Sequence, residues 1–273
     1  FKNGKLKEGG STFSVQNLNA NTIDNAKQGL VFNDISGEIN YKLIDDNIDI
    51  ILDNLFLTTN SKLQFEDSAA SIKYNLKDNQ INNLTLTVDR FDLGSVKEIS
   101  NQFLPDEHRA NVIINDLSAK GEIDDLKLKW HKTKDKEEPS LKLKAKLLEI
   151  EINEFENFPG LKNITGEIKI ENEKGIIRSV SRNLIITKKD VFRAPLKLNQ
   201  FSGSVNWDNE KYSFNDVAVK DDYMEAILNG TVKYKNLDNL YVDINLDSPS
   251  LSIPNFKVYY PKQIGKDGLG WLD

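Results

Sequence analysis

A chain of 273 residues has room for one large β domain or two smaller ones. Its 36 Lys plus Arg against 42 Asp plus Glu leave a net charge of −6, which argues against general nucleic-acid binding, because phosphate neutralisation supplies most of that affinity. The absence of cysteine excludes disulfides and thiolate metal sites, and a hydrophobic content of 38% is lean for a compact domain of this size.

In chain order, Phe1 to Gly10 is basic and glycine-bearing, and Thr12 to Leu18 alternates weakly. Gly29 to Tyr41 contains the first clear strand pattern, with Ile35, Gly37, Ile39 and Tyr41 on one face. Asp45-Asp46-Asn47 is hairpin chemistry. In the run that follows, Ile48, Ile50 and Leu52 share a face, and Leu55 and Leu57 follow after a change of register. Lys62 to Leu76 and Gln80 to Leu93 make another strand pair.

The period then changes. Val96, Ile99, Phe103 and Leu104 have helical spacing, which predicts a helix over about 95–104. Ser95 with Glu98 fits a capping box, and Pro105 a stop. Strands resume from Asn111 to Trp130, followed by a charged loop over 131–139 that reads as the most mobile segment. Ser140 to Ile152 alternates again.

The first pattern then returns three times. Ile164-Gly166-Ile168-Ile170, Phe201-Gly203-Val205-Trp207 and Leu228-Gly230-Val232-Tyr234 repeat the placement around Gly37, and Ala119-Gly121-Ile123 is a weaker copy. A glycine on the apolar face of a strand marks a bulge, a bend or a close approach. Leu240, Val242, Ile244 and Leu246 form one more apolar face, after which Pro249, Pro254 and Pro261 break regular pairing. Gly265 to Asp273 reads as a helix entry.

The expected fold is mostly β: a long, curled antiparallel sheet forming an elongated apolar groove, with one short helix. It reads as a single continuous segment, 1–273, of a repetitive β-groove, and as a fragment of a larger protein, since it starts without Met and ends in mid-pattern. No run approaches the roughly 20 apolar residues of a spanning helix.

Catalytic constellations are weak. His108 and His131 lie in no ligand-spaced cluster, so no metal site is expected. There is no Gly-x-Ser-x-Gly elbow. Gly265-Lys-Asp-Gly-Leu-Gly270 has the wrong order for a phosphate loop. Asp45-Asp46, Asp124-Asp125 and Asp221-Asp222 lie where turn chemistry explains them. The Asn83, Asn163 and Asn229 sequons matter only in a glycosylating pathway. Tyr41, Trp207 and Tyr234 end apolar faces, and aliphatic companions favour plugs over sugar-stacking platforms.

The chain resembles the large AsmA-like proteins of Gram-negative envelopes, of the YhdP type. The residues that carry the likeness are Phe158 to Thr187, Phe192 to Trp207, Leu228 to Tyr234 and Tyr259 to Asp273. Upstream, Leu93 to Pro105 followed by Leu117 to Trp130 is similar to that family's helix-then-strand passage. The resemblance implies a non-enzymatic segment of a periplasmic lipid conduit without cofactors. It would shield phospholipid acyl chains between the inner and outer membranes, held to the inner membrane by an anchor absent from this segment. Partners at the outer membrane are unknown. The lining would be Ile35, Ile39, Tyr41, Ile164, Ile168, Ile170, Phe201, Val205, Trp207, Leu228, Val232, Tyr234, Leu240, Val242 and Ile244. Alternation by itself fits a second architecture equally well: a closed β-sandwich serving as a binding, adhesion or structural module of the envelope.

Overall fold

The computed structural model describes residues 7–20, 30–60, 64–76, 80–103, 109–132, 139–156, 158–234, 240–252, 255, 258–260 and 262. They form β1 (Glu8–Ala20), β2 (Leu30–Ile44), β3 (Asn47–Thr59), β4 (Gln64–Asn75) and β5 (Gln80–Asp92), then α1 (Leu93–Phe103) and α2 (Arg109–Leu117). After the helices come β6 (Lys120–His131), β7 (Ser140–Ile152), β8 (Gly160–Glu171), β9 (Lys174–Thr187), β10 (Leu196–Asp208), β11 (Lys211–Lys220), β12 (Met224–Tyr234) and β13 (Leu240–Leu251). Each strand hydrogen-bonds its neighbours in sequence, from β1 to β13, in one open sheet. The pairs whose register is resolved are antiparallel. Period-two alternation over 10 to 15 residues per strand is what the meander requires.

The helical passage departs from expectation. The stretch from Asn111 to Leu117, expected as strand, belongs to α2. The β-branched run Val112-Ile113-Ile114 favours strand locally. A tertiary contact overrides it: Asn111 is 1% exposed, and its Oδ1 accepts a 3.1 Å hydrogen bond from Ser100 Oγ on α1. The α1 cap is also earlier than expected. Asp92 Oδ2 accepts the Ser95 N–H at 2.9 Å and its hydroxyl at 3.1 Å, so Asp92 and not Ser95 is the N-cap. His108, Pro105, most of the charged loop (133–138) and the expected helix entry at 265–273 lie outside the described residues.

The chain divides into two compact units. Unit 1 comprises Phe1–Val112, Glu122–Lys146 and Lys169–Asn172. Register there sets apolar side chains opposite one another across successive strands. One row runs Tyr41, Ile50, Ile72, Leu84, Trp130, and the next runs Ile39, Leu52, Ala70, Leu86, Leu128. Val88, opposite Leu126, is 1% exposed and marks the best-packed part of this face.

Unit 2 comprises Ile113–Gly121, Leu147–Ile168 and Glu173–Asp273. Its rows run Ser181, Phe201, Val219, Ala226 and Ile177, Val205, Phe214, Gly230, Ile244. Leu184, Leu198, Val217 and Val219 are buried.

Strands are interrupted by single residues with positive φ: Asn17, Asn54, Asp125, Glu149, Asn163, Asn183 and Asp216. Asn and Asp tolerate this region best after glycine, and one such residue in a strand makes a bulge. Each bulge slips the period by one, so Leu52 and Leu55 face the same way on either side of Asn54. Bulges also bend the strand and increase its local twist. Asp124-Asp125 is therefore not turn chemistry at a strand end; it is a bulge inside β6. Pro249, expected to break regular pairing, sits within β13 at a register irregularity against β12, which frees it from the ladder.

Candidate functional site

The candidate site is the apolar face of the sheet, taken in each unit by itself. In unit 1, Ile35 pairs with Leu57, Ile39 with Leu52, and Tyr41 with Ile50. In unit 2, Val205 lies between Ile177 and Phe214, and Trp207 between Gly175 and Tyr212. Leu228 lies between Val217 and Leu246, and Val232 between Tyr212 and Val242. Ile164 is buried, and alternation along β8 sets Ile168 and Ile170 on its side of the strand. On the last strand, Val242 is 50% and Ile244 39% exposed. Tyr234 and Leu240 pair through their backbones, and their side chains lie outside the described residues.

The repeated glycine has a physical reason. A Cβ on Gly203 would fall 2.7 Å from Val217 Cα, and one on Gly121 would fall 2.7 Å from Glu149 O. Asp216, beside Val217, and Glu149 are both bulge residues. Gly37 likewise faces the Asp53 carbonyl next to the Asn54 bulge. At Gly203, Gly121 and Gly37 the glycine opens the space that the neighbouring strand's bulge occupies, whereas Gly166 and Gly230 are approached by the Arg178 and Asp243 carbonyls, away from any such bulge. Gly203 (φ +146°) and Gly121 (φ +103°) also hold backbone conformations that a side chain would strain.

The polar face completes the device. A bulge leaves a backbone N–H without its ladder partner. The Asp216 N–H donates to Asn229 Oδ1 at 2.8 Å, and the Glu149 N–H donates to Thr165 Oγ1 at 3.1 Å. Asn163 Nδ2 donates to the Asn183 carbonyl at 2.9 Å. Two of the sequon asparagines thus serve the bulges.

Buried hydroxyls on β9 were not found by sequence reasoning. The Thr165 N–H donates to Ser181 Oγ at 2.9 Å, and Ser179 Oγ donates to the Thr165 carbonyl at 2.8 Å. The two serine oxygens are 2.6 Å apart. Side chains here carry bonds that a regular ladder makes through the backbone, so both hydroxyls are satisfied and neither is poised as a nucleophile.

A second unanticipated cluster fastens the strand ends of unit 2. Lys188, 8% exposed at its side chain, donates to Glu154 Oε1 at 3.1 Å and to the Glu156 carbonyl at 2.7 Å, and lies 3.4 Å from Asp190. Nearby, Asp221 accepts the Tyr223 and Met224 N–H groups at 2.7 and 2.8 Å and the Tyr259 hydroxyl. Burial and that carboxylate push the Tyr259 phenol well above its ordinary range. Lys262 N–H donates to the Val191 carbonyl at 2.8 Å, which brings Lys262 back onto the β9–β10 connection.

Other ionisable groups among the described residues form surface ion pairs. Arg90 makes two bonds to Asp124, at 2.7 and 2.9 Å, and Lys174 pairs with Asp208 at 2.8 Å. His131 is exposed and contacts Asn83. Among the described residues no group of three or more His, Asp or Glu could hold a metal ion.

The YhdP protein family model matches residues 1–273. The chain belongs to the YhdP family. Membership makes it an AsmA-like protein of the cell envelope, in a family not known for enzymatic activity. No curated protein and no solved structure matches it. Among the described residues no helix is long and apolar enough to cross a membrane. The YhdP assignment agrees with the resemblance carried by Phe158 to Trp207, and the glycine-and-bulge repeats of this YhdP chain lie within that match.

Proposed function

We propose that this chain is a non-enzymatic segment of a periplasmic lipid conduit, whose apolar face shields phospholipid acyl chains between the inner and outer membranes. The observation that carries the reading is the sequence of cross-strand apolar rows in each unit, with Val205, Trp207 and Val232 only half-buried. Transfer of an acyl chain onto such a face gains about 0.8 kcal/mol per methylene, so a dozen methylenes gain roughly 10 kcal/mol without any polar contact. The same reading places the chain in the periplasm, as part of a protein anchored at the inner membrane. A closed sandwich is less well supported, because the described strands follow one another in a single open sheet.

The test is a benzophenone side chain placed at Val205, on the apolar face, or at the adjacent Ser204, on the polar face. Irradiation in cells is expected to give a phospholipid adduct at 205 and none at 204. No adduct at 205, or equal adducts at both, overturns the proposal.

A further inference from the structure

Tyrosine and tryptophan are not spread evenly over the strands. Tyr41, Tyr74, Trp130, Trp207, Tyr212, Tyr234 and Tyr241 are the Tyr and Trp residues of the described strands. Each lies within about three residues of the strand end that leads into an even-to-odd hairpin, such as those at Asp45–Asp46 and Asn209–Glu210. Phe32, Phe65 and Phe91 lie at the other strand ends and Phe13 and Phe201 in mid-strand, with Phe214 the exception, three residues from the β10–β11 hairpin end. Toward the opposite ends of the unit 2 strands the residues are Leu184, Ile186, Leu196, Leu198, Val219 and Met224, followed by the Lys188 cluster and by Tyr223 and Tyr259 at Asp221.

The segregation has a physical meaning. Tyr and Trp present an apolar body and a hydrogen-bonding tip, and they collect where an apolar phase meets water. Phe and aliphatic residues have no such tip. Trp207 and Tyr212 are directly paired across β10 and β11, half-buried, on the apolar face. Tyr41 and Trp130 hold the corresponding margin within unit 1, in the row through Ile50, Ile72 and Leu84. Within unit 2 the apolar face thus carries Trp207 and Tyr212 at the hairpin margin, while Tyr241 faces Lys233 on the other side of the sheet, and the opposite strand ends lead into the Lys188–Glu154–Asp190 cluster and the Tyr259–Asp221 bond.

We propose that the hairpin margin, marked in unit 2 by Trp207 and Tyr212, is the headgroup side of a bound phospholipid, and that its acyl chains run from there toward Phe201. This rests on the lipid reading above and adds an orientation to it. The acyl carbonyls and glycerol lie at the indole and phenol tips, which can hydrogen-bond them. The methyl ends lie about six residues deeper, roughly 20 Å along the strand, a distance close to an extended acyl chain.

The experiment uses the 273-residue chain with a single tryptophan. One variant keeps Trp207 and carries Trp130→Phe and Trp271→Phe. The other adds Trp207→Phe and Phe201→Trp, with Leu228→Trp in its place if that variant does not fold by circular dichroism. Each is loaded with phosphatidylglycerol brominated either near the acyl carbonyl or near the terminal methyl, and fluorescence quenching is measured. Trp207 is expected to be quenched at least twofold more by carbonyl-end bromines, and the deeper tryptophan more by methyl-end bromines. Equal or reversed quenching at Trp207 overturns the orientation while leaving the lipid reading intact. No quenching by either lipid at either position overturns both.

Discussion

The α-carbon of Val217 lies 2.7 Å from the point where any side chain on Gly203 would begin. Val217 follows the Asp216 bulge, so the glycine and the bulge are one structural unit shared by two strands. Gly203→Ala is therefore expected to clash with backbone and to strain a φ of +146°. The cost should be about 2 kcal/mol or more. Urea unfolding checks it, and an unchanged midpoint would show that β10 and β11 separate easily at this point.

Asn229 supplies the acceptor for the Asp216 N–H at 2.8 Å. Asn229→Ala leaves that donor unpaired and should cost about 1 kcal/mol. Asn229→Asp keeps an acceptor at the same place and should cost less. Thermal melting of the two variants compares them; equal losses would mean that Asn229 does not act through the bulge.

Lys188→Met removes the cation between Glu154 and Asp190, at a side chain only 8% exposed. Removing one partner of a fully buried ion pair costs about 3–5 kcal/mol; the Glu154 and Asp190 side chains are 21% and 35% exposed, so water offsets part of the penalty and the loss should be smaller, about 1–3 kcal/mol. Glu154→Gln added to Lys188→Met should recover part of the loss. A double variant as unstable as the single one would show that packing of the lysine stem, and not its charge, holds this end together.

The Lys146 ammonium, hydrogen-bonded to Asp125 at 2.5 Å, holds that carboxyl below its usual value of 3.8. A depressed folded value gives stability that is present above the unfolded value and is lost as pH falls through the folded one. Both groups are exposed, so the effect is small and sensitive to salt. Lys146→Met should melt slightly below the parent at neutral pH and low salt, and the two curves should converge as pH falls below the ordinary carboxylate range. A gap that persists in acid would assign the difference to something other than this pair.

Much of the fold could be read from local pattern. Period-two alternation gave Ile35, Ile39 and Tyr41 one face, and the shift at Leu55 is present as the Asn54 bulge. What could not be read depends on partners distant in sequence. Gly203 announces a close approach, but Asp216 and Val217, which make it, lie on the next strand. Lys188 looks like an ordinary surface lysine until Glu154, 34 residues earlier, closes over it. The Asn111–Leu117 helix was hidden because β-branched residues favour strand locally, while a buried Asn111–Ser100 bond decides otherwise. The Tyr and Trp margin was in plain view, yet it becomes a pattern only when each residue is placed relative to its hairpin.

Mass spectrometry of lipids co-purifying with the chain asks whether the half-buried apolar face around Val205 holds lipid. The parent is compared with Val205→Asp, which puts a carboxylate between Ile177 and Phe214. On an open face that carboxylate keeps water, so the variant should fold, with its melting temperature lowered by only a few degrees. An acyl chain cannot solvate the charge. Bound phospholipid is expected in the parent, and most of it should be lost in the folded variant. Absence of phospholipid from the parent, or equal amounts in both, would contradict lipid binding on this face.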